Sequence, residues 1–141
     1  MVLRNLCLLY LTLISIFDLL TGRIPNFLTY GFFAAMFLSD IFTDPLKIPK
    51  HLLSAIFFLA VFFVTALATK GIGLGDVKLA AAMGYSFGLF KTSIILIFAC
   101  VTGIAIFIVI KAFKKELKQL PFAPCVGAGY VICEVLCRRI L

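Results

Sequence analysis

Residues 93–112 read SIILIFACVTGIAIFIVIKA, twenty positions with a single charge, Lys111, close to the far end. An unbroken apolar run of this length suits a membrane-spanning helix, since about 20 residues at about 1.5 Å each cover a hydrocarbon layer of about 30 Å. Strands of a membrane barrel would instead alternate over about ten residues. Working outward, five more apolar stretches appear: Val2–Leu20, Phe27–Phe42, Leu52–Ala68, Val77–Phe90 and Phe122–Leu136. Several fall short of a full crossing, so their ends must extend or the bilayer must thin.

The whole chain agrees with that reading. Of 141 residues, 64% are hydrophobic and 13% charged, and mean hydropathy is +1.21. A soluble domain carries about 25% charged residues. A soluble enzyme, a disordered chain and a nucleic-acid module are therefore excluded together. The expected fold is all-α, a polytopic membrane protein of about six transmembrane helices in one domain, 1–141. The net charge of +7 comes from 13 Lys and Arg against 6 Asp and Glu. Because the cations lie between apolar runs, they are matched to lipid headgroups and topology rather than to nucleic acid. The Arg4-led N-terminal run is followed directly by Asp18 without a small-residue cleavage site, so it reads as a first span rather than a signal peptide.

Six helices put both termini on one side. The opposite side then takes Arg23, Lys70, Lys78, Lys111, Lys114, Lys115 and Lys118, against Arg4, Lys47, Lys50, Lys91, Arg138 and Arg139. The dense Lys111–Lys118 cluster makes the former side cytoplasmic, with the termini outside.

Carboxylates are costly in a membrane, so each of the six acids is informative. Asp40 and Asp44 read as an ordinary solvated connection beside Lys47 and Lys50. Glu116 lies among lysines, and Glu134 stands one turn before Arg138. Asp18 is different: it sits near the end of the first helix, where a negative charge opposes the helix dipole. It either reaches the interface, meeting Arg23, or does chemistry. Asp76 closes Gly71-Ile72-Gly73-Leu74-Gly75-Asp76 just before a helix, where Asp is a favoured N-cap. The alternating glycines match no phosphate-loop spacing, but they allow close approach and extended backbone.

The six-helix topology places Asp18 and Asp76 at the same face. Two carboxylates sharing a proton supply an acid and a base together, which suits attack of water on an amide carbonyl. Other catalytic sets lack parts. The one histidine, His51, lies in the opposite connection, and there is no His-Glu-x-x-His. The five cysteines form no Cys-x-x-Cys pair, so no metal site is expected, and they read as small apolar residues.

These residues also carry a family resemblance. Gly73-Leu74-Gly75-Asp76, continued by Val77-Lys78-Leu79, resembles the Gly-x-Gly-Asp signature of type IV prepilin peptidases. Asp18 followed by Arg23-Ile24-Pro25-Asn26 is similar to their first-aspartate motif, and Leu120-Pro121-Phe122-Ala123-Pro124 to the segment opening their last helix. The resemblance implies a cofactor-free aspartic endopeptidase in the inner (plasma) membrane, with Asp18 and Asp76 catalytic. Gly73, Gly75, Lys78, Arg23, Pro25, Asn26, Pro121 and Pro124 would support them. Lys78 is expected to bias Asp76, while Pro25 and Asn26 end helix one and set the turn presenting Asp18.

The partner implied is a prepilin or pseudopilin precursor, cut after its short basic leader at the cytoplasmic face. Lacking the paired Cys-x-x-Cys insertion of the larger enzymes, the chain resembles the short forms serving Flp-type pili or preflagellins, without methyltransferase activity. Two other readings stay open on the residues alone: a proton-linked transporter and a non-cutting prepilin scaffold.

Overall fold

The computed structural model describes residues 2–22, 24–69, 72–112 and 122–140, with all their side chains except those of 2–4, 110, 112 and 137–140. Five helices follow one another: α1 (Val2–Thr21), α2 (Asn26–Thr43), α3 (Ile48–Thr69), α4 (Leu74–Ala112) and α5 (Phe122–Ile140), with a single 3-10 turn at Pro45–Lys47. Among the described residues there is no strand. The fold is all-α, as the composition requires.

The expected fourth and fifth helices follow one another within Leu74–Ala112, with a kink at Gly88, where the backbone is non-helical (φ 72°, ψ 175°). The break falls two residues before the expected helix end at Phe90. Only glycine adopts that φ at little cost, and the buried Thr92 hydroxyl donates to the Met83 carbonyl (2.9 Å), tying together the two sides of the break.

Among the described residues, two elements are long and apolar enough to cross a membrane: Pro45–Thr69 (mean hydropathy 2.5) and Leu74–Val109 (2.7). Only 17% and 22% of their most apolar windows are buried, so these are not core helices of a soluble protein. Leu53, Val64 and Leu67 on α3 are among the large apolar side chains left outside. The apolar stretches of α1 and α5, Asn5–Thr21 and Phe122–Leu136, are shorter. Hydroxyls behave as they must away from water. Those of Thr12, Ser15, Thr65, Thr69, Ser86 and Thr102 all donate to carbonyls three or four residues back in their own helices.

The chain divides into two compact units, Met1–Gly22 with Ser93–Leu141, and Arg23–Thr92. In the first, α1 packs on α5. Cys7, Leu11, Ile14 and Asp18 are buried, a spacing of four, three and four that makes one helix face. Val126, Tyr130 and Cys133 are the corresponding stripe on α5. The approach of α5 to α4 is so close that a Cβ on Gly129 would stand 2.5 Å from the Ile95 carbonyl oxygen.

In the second unit Phe32 and Met36 of α2, Ala55 and Phe58 of α3, and Leu79 and Met83 of α4 are buried. Here one expectation is corrected. Asp40 is not in a solvated connection: α2 continues to Thr43, and Asp40 is buried within it. Its Oδ2 lies 2.8 Å from His51 Nδ1 at the start of α3, and Tyr85 of α4 meets the His51 ring edge-on at 5.7 Å. Asp44, by contrast, does belong to the connection and pairs with Lys47 at 3.2 Å. Glu116 and the Arg138 side chain lie outside the described residues.

Candidate active site

Asp18 occupies the last turn of α1. Its own carbonyl accepts the Gly22 N–H at 2.8 Å, and Gly22 has φ 62°, the left-handed conformation that ends a helix with one backward hydrogen bond. Gly22 therefore terminates α1, while Pro25, extended at φ −70° and ψ 127°, caps the start of α2. The end of helix one that was ascribed to Pro25 and Asn26 is thus set four residues beyond Asp18, by a glycine. Sequence reasoning missed Gly22; a lone glycine just past an apolar run was the signal available.

The Asp18 side chain is buried, 6% exposed, on the face that packs against α5. Its Oδ2 accepts the backbone N–H of Ala123 at 3.0 Å. Ala123 is the second residue of α5, so the carboxylate sits at the positive end of that helix. A negative group at the C-terminal end of α1 is unfavourable within α1 alone, and the N-terminus of α5 compensates for it. The start of α5, at Ala123, and Asp18 are thereby brought together. Pro124 is half-buried in the first turn of α5; Arg23 and Pro121 lie outside the described residues.

The second unit holds the Gly-x-Gly-Asp segment. Gly73 precedes α4 and Asp76 is its third residue. Asp76 N–H and Val77 N–H both donate to the Gly73 carbonyl, at 3.0 and 3.3 Å. In return the Gly73 N–H donates to Asp76 Oδ2 at 3.2 Å. Asp76 is therefore not the N-cap itself; it supplies the reaching-back half of a capping box, three residues into the helix. Gly75 faces the chain entering α2: a Cβ there would stand 3.0 Å from Ile24 Cβ. Lys78 Nζ donates to Asn26 Oδ1 at 3.0 Å and lies 5.5 Å from the centre of the Tyr30 ring. Asp76 and Lys78 are both half-buried.

The Gly-x-Gly-Asp segment and the Ile24–Asn26 stretch thus pack as one corner of the second unit, with Asp76 on its helix start. Among the described residues no three His, Cys, Asp or Glu side chains converge as metal ligands would. Of the cysteines whose side chains are described, Cys7, Cys125 and Cys133 are buried and Cys100 is exposed.

Comparison with known families settles the affiliation. The model of the type IV leader peptidase family matches residues 5–108, which span Asp18 and the Gly-x-Gly-Asp segment. The chain belongs to the type IV leader peptidase family. No curated protein and no solved structure matches the chain. The match ends before the Pro121–Pro124 segment, so that segment's assignment rests on its own likeness and on the Asp18–Ala123 hydrogen bond. The chain is thus a peptidase of a leader-cutting family and a membrane protein.

Proposed function

We propose that this protein is a membrane aspartic endopeptidase that removes the short basic leader from type IV prepilin-like or pseudopilin precursors at the cytoplasmic face of the plasma membrane. One domain of six spans, with α4 counted as two about Gly88, would carry the reaction. Asp18 and Asp76 act together. One carboxylate takes a proton from water as the water attacks the carbonyl before the scissile bond. The other, protonated, gives its proton to the departing amine. One peptide bond breaks, and a carboxylic acid and a free N-terminus form.

The observation that carries this reading is Asp18 itself. A carboxylate buried in a membrane helix is costly, and this one is oriented by a tertiary hydrogen bond rather than neutralised by a basic side chain among the described residues. Asp76 supports it differently, as an acid oriented by its own helix start within the glycine-bearing segment. The chain has no Cys-x-x-Cys pair, so no methyltransferase activity accompanies cleavage in this reading.

The test is leader removal. Purified protein in detergent is mixed with a precursor carrying a basic leader and a glycine before the cut, and the product is followed by gel shift. Wild type should shorten the precursor, while Asp18→Asn and Asp76→Asn should insert normally and leave it intact. Cleavage retained by either variant would refute the two-aspartate mechanism.

A further inference from the structure

The peptidase reading gives Asp18 a chemical task but assigns nothing to the peptide group that holds it. A helix starts with four backbone N–H groups that have no partner within the helix: those of the preceding residue and of the first three residues. The first three residues of α5 are Phe122, Ala123 and Pro124. Pro124 lacks an N–H by covalent structure. These positions therefore retain two donors where an ordinary helix start has three, and the Ala123 N–H is committed to Asp18 Oδ2.

Helix capping alone does not explain the arrangement. Asparagine caps about as well as aspartate and carries no charge to bury. α1 and α5 also meet through the buried stripe of Cys7, Leu11 and Ile14, so the contact is not alone in holding the two helices together. A carboxylate facing four adjacent donors could rock among them, whereas Pro124 removes the donor next in sequence and restricts the choice.

We propose that the Ala123 N–H is a positioning group for catalysis: it fixes one oxygen of Asp18 so that Oδ1 remains outside that hydrogen bond, available to water and substrate. The inference rests on the peptidase reading above. Ala123 acts through Asp18 and touches no substrate. Pro124 serves as a filter, removing the donor next to the one that is needed.

The test deletes one N–H from the full-length protein. Incorporating the α-hydroxy acid counterpart of alanine at position 123 turns the amide into an ester and removes the donor without changing the side chain. The same exchange at Ala128, within the body of α5, removes an ordinary helical hydrogen bond as a control. With a prepilin substrate, the ester at 123 should lower kcat about 10- to 100-fold with KM nearly unchanged. The ester at 128 should lower the melting temperature but keep kcat. Unchanged kcat at 123, or equal loss at both positions, overturns the inference. Should the ester at 123 not fold, Pro124→Ala decides. The extra donor it restores should lower kcat several-fold at constant KM, and unchanged kcat overturns the inference. Wild-type protein that cuts no prepilin overturns the peptidase reading itself, an outcome distinct from a cutting wild type with an indifferent ester.

Discussion

The carboxylate of Asp18 is answered from 105 residues away, by the first turn of α5, whereas that of Asp76 is answered by Gly73, three residues back in its own helix start. Asp18 is buried and Asp76 half-buried. The Gly73–Asp76 bond therefore lies within a short segment at the start of α4. Asp18 acquires its orientation only once α1 has packed on α5. Two acids proposed for one reaction thus each make a bond at a different level of organisation, Asp76 within a helix start and Asp18 across a helix pair.

The sharpest probe of this contrast separates chemistry from stability. Asp18→Asn and Asp76→Asn should each lower kcat by about 1,000-fold or more, because groups acting as a unit are lost together. Stability should distinguish them. Asp18→Ala leaves a buried amide without its acceptor and should cost about 1–3 kcal/mol. Asp76→Ala loses a local helix-start bond and should cost about 0.5–1 kcal/mol. Thermal melts in detergent measure both; equal losses would erase the distinction.

Next come the glycines of the Asp76 segment. Gly75→Ala puts a Cβ at 3.0 Å from Ile24 Cβ, so the corner must shift, and kcat/KM should fall about tenfold. Ile24→Gly should restore part of it by vacating the space. A Cβ at Gly73 would stand 3.6 Å from Asp76 Oδ2 and 4.0 Å from the Gly75 nitrogen, ordinary contacts, so Gly73→Ala should cost less than Gly75→Ala. The reverse order in a cleavage assay would show that sterics at Ile24 do not govern the segment.

Asp40 supplies a control for the meaning of burial. It too is a buried carboxylate, yet its partner is the His51 ring rather than a backbone amide. His51→Ala should lower stability by about 1–3 kcal/mol while the folded enzyme still cleaves, because the lost partner leaves a buried acid unsatisfied. Loss of cleavage with no change in melting would give this pair a catalytic part. A comparably small effect is expected of Gly22→Ala, about 1 kcal/mol for forcing a Cβ into the left-handed region in otherwise open space.

Particular residues show what was readable in advance. Phe27–Phe42 and the observed α2 agree within one residue at each end, because apolar runs bounded by Pro25 and Pro45 leave little freedom. The fourth and fifth helices could be located as separate apolar runs, whereas the place of the kink between them, at Gly88, could not. Asp40 was misplaced because hydropathy stops at Phe42 with two acids near it, and no local pattern distinguishes a solvated acid from one buried against a histidine eleven residues on.

The sequence by itself determined an all-α membrane protein, its affiliation with a leader-peptidase family, and the two acids worth testing. Hydrophobicity, motif spacing and helix-start chemistry are short-range, so they can be read along the chain. Only the tertiary structure decided that Asp18 ends on the Ala123 N–H, that Ile24 leaves no room beside Gly75, and that Asp40 belongs to His51. Each of those depends on which helix faces overlap. That overlap is fixed by packing between segments far apart in the chain, which local composition does not encode.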